Sequence, residues 1–144
     1  MSAEQRPERE AHWTFALAAE FGWRDITPEV SDLVARSRVR TGGVILSLKG
    51  STGAITTIEN EEGALADLRR ALDQLAPVDV EYAHNAAYQD GNGFSHVRSA
   101  LLKTGLAIPV TDGRLQVGRW QQIIVINLDN RPRQREVVAV VVGE

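Results

Sequence analysis

The sequence predicts an α+β domain, and three observations carry that prediction. Runs of apolar or alternating residues recur between Gly- and Pro-bearing turns, as strands do. Three other segments repeat apolar residues at helical spacing. One late strand is apolar on both sides, which requires a covering layer on each. With 144 residues, 43% of them hydrophobic, the chain is large enough for one core.

Residues 1–11 read as a polar leader, because Ser2 to Glu10 carries Pro7 and many charges but no apolar periodicity. A single domain is expected over 12–144. Thr14 to Glu20 fits a strand. Thr27-Pro28-Glu29 opens a helix, with Thr27 as N-cap, Pro28 at the first helical position, and Val30, Leu33 and Val34 facing the core. Val44 to Leu48 is strand-like, and Gly50-Ser51-Thr52-Gly53 turns into a second short strand, Ala54 to Ile58.

A longer helix is predicted from about Glu61 to Leu75, where Leu65, Leu68, Leu72 and Leu75 share a face, Asn60 caps the start and Pro77 follows. The third begins after Gly93. It sets Phe94, Val97 and Leu101 on an apolar arc and His96, Ser99 and Lys103 on a polar one. Strands follow at Leu106 to Val110, Leu115 to Leu128 and Val137 to Val142, with a turn at Thr111-Asp112-Gly113. Within the second of these, Ile123 and Val125 alternate with Ile124 and Ile126, so a second sheet or another subunit must cover the sheet. Trp13 and Trp23 are expected to cap the core. Trp120 and Gln121-Gln122 are expected to combine core packing with hydrogen bonds at a subunit seam.

A formal net charge of -3 argues against a nucleic-acid binder, since phosphate-backbone binding needs clustered Lys and Arg. The absence of cysteine excludes disulfides and thiolate metal sites. No stretch approaches the roughly 20 apolar residues of a membrane span, so no membrane role and a cytoplasmic location are expected.

The order of short motifs resembles the YjbQ-like family from about Phe15 almost to the last residue. The segments are Asp25-Ile26-Thr27, Gly50-Ser51-Thr52-Gly53-Ala54, Glu59-Asn60-Glu61, His84, Asp90-Gly91-Asn92-Gly93 with His96, Ile108-Pro109-Val110 through Gly113-Arg114-Leu115, Gly118-Arg119-Trp120-Gln121-Gln122-Ile123, Arg133 to Arg135 and Gly143-Glu144. The resemblance implies a sandwich-like β core, a homotrimer, and a polar cleft lined by histidines and acidic residues. It also implies a secondary thiamine-phosphate synthase activity. That reaction joins a hydroxymethylpyrimidine diphosphate to a thiazole phosphate with loss of pyrophosphate, usually with a divalent ion, zinc or magnesium. The word "secondary" marks a side activity. The chain departs from the pattern at Gly50, where a histidine is usual, at Ile58, where an asparagine is usual, at Ala100, often a serine, and near Asn127, often acidic.

His84 and His96 are the first catalytic candidates and the candidate metal pair, because imidazole serves as ligand or proton carrier near neutral pH. A third metal ligand would come from Glu59 or Asp90, since the remaining histidine is His12. Glu59 is the candidate general base. Glu61 and Glu62 are better explained by the helix dipole. For a phosphorylated or anionic ligand the candidates are Lys103, Arg133 and the small-residue turn at Ser51 and Thr52. The plainer alternatives are solvated cations and an ordinary turn. Three readings follow: a transferase of the synthase type, a non-catalytic trimer that binds a metal or small anion through a degenerate site, and a hydrolase with metal-activated water.

Overall fold

The computed structural model describes residues 6–144. Those residues form eight strands and four helices: β1 (Glu10–Leu17), β2 (Gly22–Asp25), α1 (Thr27–Ser37), β3 (Thr41–Lys49), β4 (Gly53–Ile58), α2 (Glu62–Leu75), α3 (Ala83–Tyr88), α4 (Gly93–Leu102), β5 (Gly105–Thr111), β6 (Arg114–Leu115), β7 (Gln122–Asn127) and β8 (Arg133–Gly143). Two antiparallel sheets result, one of order β1-β8-β3-β5-β6 and one of order β2-β7-β4.

The doubly apolar strand explains the layering. Ile123 and Val125 of β7 join a core with Phe15, Val44, Leu46 and Val137 of the larger sheet and Leu33 of α1. Ile124 and Ile126 face the other way, onto Leu65 and Leu72 of α2. A second sheet covers one face of β7, as the sequence led us to expect, and helices rather than another subunit cover the other. No helix among the described residues is long and apolar enough to cross a membrane.

Several expectations are corrected. The first five residues of the expected leader lie outside the described residues, but β1 begins at Glu10, and Arg9 already accepts a hydrogen bond from Val141 N at 2.8 Å. Residues beyond Leu17 do not continue the strand. Glu20 and Phe21 take positive φ (48° and 85°) and reverse the chain into β2. Thr27 does not cap α1: its hydroxyl accepts from Ile123 N at 2.9 Å, and Asp25 Oδ1 accepts from Thr27 N at 2.8 Å. Asn60 does not cap α2. The Glu61 carboxylate does, accepting from Gly63 N and Ala64 N at 2.7 Å each, and those donors hold its pKa below the ordinary value.

Helix count and helix faces also differ from expectation. The short α3 carries no apolar period to announce it. Leu75 is 70% exposed, so the leucine stripe of α2 serves the core only through Leu65, Leu72 and half-buried Leu68. On α4 the buried side is Phe94, Ser95, Arg98 and Ser99, whereas Val97 and Leu101 face outward. Hydrogen bonds pull that side inward: Ser99 Oγ donates to Gly53 O at 2.6 Å, and Arg98 donates to Ala76 O and Asp73 at 3.0 Å each. The expected strand from Leu115 to Leu128 is two strands separated by a loop. Trp120 lies in that loop, 64% exposed under the Arg119 guanidinium, and not in the core. Trp13 packs on the core, but Trp23 is exposed and donates to Asn60 Oδ1.

Candidate functional site

Two helices bring the histidines together. His84 comes from α3 and His96 from α4, and their rings meet with centroids 4.3 Å apart and planes at 51°. Tyr88 stands 5.1 Å from His84, one turn further along α3. Asp90 Oδ1 lies 3.1 Å from His84 Nε2, and the Asn92 amide, turned so that its nitrogen faces acceptors, donates to Asp90 Oδ1 at 2.9 Å. The α3–α4 link is fixed by Asn85 Oδ1, which accepts from Gly93 N at 2.8 Å.

His96 looks onto a cleft of about 330 Å³ lined also by Gly50, Ser51, Ala100, Lys103 and Thr104. The polar arc read from α4 is therefore the cleft wall, except that Ser99 uses its hydroxyl on Gly53 O. Lys103 ends α4 at φ 77°, ψ 159°, with its N–H donating to Ser99 O. That region of backbone space is essentially reserved for glycine, and a lysine held there stores strain.

Beneath the Gly50–Gly53 turn lies a buried polar network. Asp129 Oδ2 accepts from Thr52 Oγ1 at 2.9 Å and from Arg133 Nε at 3.0 Å, and Asp129 Oδ1 accepts from Asn130 N at 2.7 Å. Arg135 Nη2 donates to Thr52 Oγ1 and Asn127 Oδ1 at 2.7 Å each. Burial pushes the Asp129 carboxyl up, but the hydrogen bonds from Thr52, Arg133 and Asn130 and the charge of Arg133 outweigh it, leaving the pKa below the ordinary 3.8. Burial lowers the pKa of Arg135.

The model of the family described as "UPF0047 protein YjbQ-like" matches residues 12–144. The chain belongs to the YjbQ family. It is 38% identical to a UPF0047 protein of Methanothermobacter thermautotrophicus over 120 residues, covering 83% of this chain and 82% of that one. Against the UPF0047 protein YjbQ of Salmonella typhimurium the identity is 32% over 126 residues, covering 85% and 90%. A solved YbjQ-like protein of Sulfolobus solfataricus P2 superposes with a TM-score of 0.88 at 27% identity, covering 94% of this chain and 96% of that one.

Of the residues singled out in the sequence, this YjbQ-family chain gathers His84, His96, Ser51 and Lys103, with Asp90 beside His84. Glu59 is not among them. It is exposed just past the end of β4, about 20 Å along that strand from the Gly53 end that borders the cleft. The Thr52 hydroxyl is buried and engaged by Asp129 and Arg135, whereas Arg133 gives its Nε to Asp129 and keeps its side chain 41% exposed. Three protein donors for a zinc ion are not assembled either. A zinc site needs at least three protein donors, and among the described residues no group of three His, Asp or Glu side chains is placed to hold an ion. His12 sits on β1 between Glu10 and Glu136, whose hydrogen bonds raise its pKa.

The positions that the resemblance singles out as departures fall partly in the cleft. Gly50 and Ala100 both line it, whereas Ile58 packs against the α2 core and Asn127 is buried in the network. Gly50 has φ 130°, and a Cβ there would stand 2.9 Å from Arg135 Nη1. Asp129 and Asn92 were missed as site-forming residues. Asp129 follows an apolar strand and precedes the Asn130-Arg131-Pro132-Arg133 turn, where a carboxylate reads as solvated. Asn92 lies inside a motif whose neighbours drew the attention.

Proposed function

We propose that the cleft between Ser51 and Lys103 receives the phosphorylated end of a small molecule, and that the reaction performed there is the thiamine-phosphate synthase type of transfer. The observation that carries this reading is Lys103, kept in a glycine-like backbone conformation with its side chain on the wall that His96 shares. Strain of this kind persists where function holds it.

In that reaction the bond that breaks joins the pyrimidine methylene carbon to the diphosphate oxygen, and its electron pair leaves with pyrophosphate. The bond that forms joins the same carbon to the thiazole nitrogen. Lys103 would offset the leaving charge, and His96 would donate a hydrogen bond or proton to the departing oxygen. Asp90 on His84, and His84 against His96, would fix the ring that does so. Purified protein given both precursors should then yield thiamine phosphate above a no-protein control.

A second reading is favoured by the loss of polar groups at Gly50 and Ala100: a binding protein that retains the anion site without turnover. Saturable pyrophosphate binding with no product above control would establish it. We further propose a homotrimer for either reading. Its support is the outer face of the larger sheet, where Ile45 and Val142 are 50% and 47% exposed on adjacent strands. Sedimentation at micromolar concentration should give three times the chain mass.

A further inference from the structure

Three arginines from two segments share a hollow of about 460 Å³ at the other end of β3 from the cleft: Arg38 and Arg40 in the α1–β3 link, and Arg114 in the β5–β6 hairpin. The nine residues of β3 separate the two places by about 30 Å. We propose that this hollow is a second anion site, which binds one small molecule bearing a phosphoryl or diphosphoryl group.

Charge is the first argument. The chain carries a formal net charge of -3, yet this hollow holds three guanidinium groups and one carboxylate, Asp112. That carboxylate lies 4.0 Å from Arg40 with both side chains largely exposed, so it neutralises little. Among the described residues, the Arg38 and Arg114 side chains have neither ion pair nor hydrogen bond. Like charges gathered in one concavity repel, and an anion relieves that repulsion.

Backbone conformation is the second argument. Arg38 closes α1 at φ 58°, ψ 14°, the left-handed position that glycine or asparagine usually fills. A non-glycine residue retained there invites a functional explanation. The walls are also tied together: Gly113 N donates to Arg40 O at 3.0 Å, which docks the hairpin on the α1–β3 link.

Ligand class follows from shape. Guanidinium forks match phosphoryl oxygens in pairs, and the volume is that of a small-molecule pocket. A nucleic acid would need an extended basic track, whereas this is one small, open hollow.

Amide NMR of the full chain, titrated with inorganic pyrophosphate, tests the proposal. Saturable shifts are expected at Val39, Thr41, Gly113 and Arg114, and the paired variant Arg38→Gly/Arg114→Gln should weaken them at least tenfold. Glycine at 38 suits the turn, so this variant keeps the fold. Amides at Ser51 and Lys103 report the cleft in the same spectra, so the two sites succeed or fail separately. Absence of saturable shifts at the hollow, or shifts that survive in the paired variant, would overturn the proposal.

Discussion

The imidazoles of His84 and His96 meet at a centroid distance of 4.3 Å although they belong to different helices, and Asp90 holds the far side of His84. In the proposed reaction His84 would position His96. In His84→Phe the ring packing survives and the bond to Asp90 is lost. Turnover should drop about tenfold or more, as small misplacements of reacting groups do, while the melting temperature changes little. Steady-state rates and a thermal melt together check this.

Lys103→Gly separates strain from function. Relief of the positive-φ conformation should outweigh the extra freedom of glycine in the unfolded chain, for a net gain of about 1 kcal/mol. Pyrophosphate affinity in the cleft should fall at least tenfold. Calorimetric titration and urea unfolding on the same preparation give both numbers, and a loss of stability would show that the strain is not real.

Asp129→Asn removes the anion that Thr52, Arg133 and the Asn130 N–H share. Leaving Arg135 in its buried place with less compensating charge should cost on the order of 3 kcal/mol. The pH dependence has a definite sign. Because the folded pKa lies below the ordinary 3.8, the contribution of Asp129 is fully present above that value and is lost as pH falls through the folded pKa. The stability gap between wild type and Asp129→Asn should therefore be constant near neutrality and close in strong acid, as urea unfolding at a series of pH values would show.

Some of this was legible in the sequence and some was not, for physical reasons. The two apolar faces of β7 announced a three-layer arrangement, because alternation assigns each side chain to a face without knowledge of the fold. The polar arc of α4 announced the cleft for the same reason. What escaped were contacts between distant segments. Thr52 and Asp129 are 77 positions apart, and nothing local marks their hydrogen bond. Glu59 looked like a base from its motif, but its place beyond the end of β4 depends on strand direction. Val97 and Leu101 looked like core from their helical spacing with Phe94, and the hydrogen bonds of Arg98 and Ser99 turned the helix the other way.

The glycine at position 50 is built into the turn rather than merely vacant. Gly50→His should destabilise the protein by about 1–3 kcal/mol, through its φ of 130° and the encounter with Arg135, which is itself held by Thr52 and Asn127. Gly50→Ala should already show most of that loss in a thermal melt. A histidine at 50, which the family resemblance leads one to expect, would not build a site without rebuilding the turn.

The account rests on His96 as the group that meets the leaving diphosphate. The most direct test is the rate of thiamine phosphate formation by wild type and by His96→Gln, with melting temperatures measured alongside. The account predicts product from the wild type and a loss of at least a hundredfold in the variant, with the fold intact. Equal rates in the two proteins, or no product from either, would contradict it.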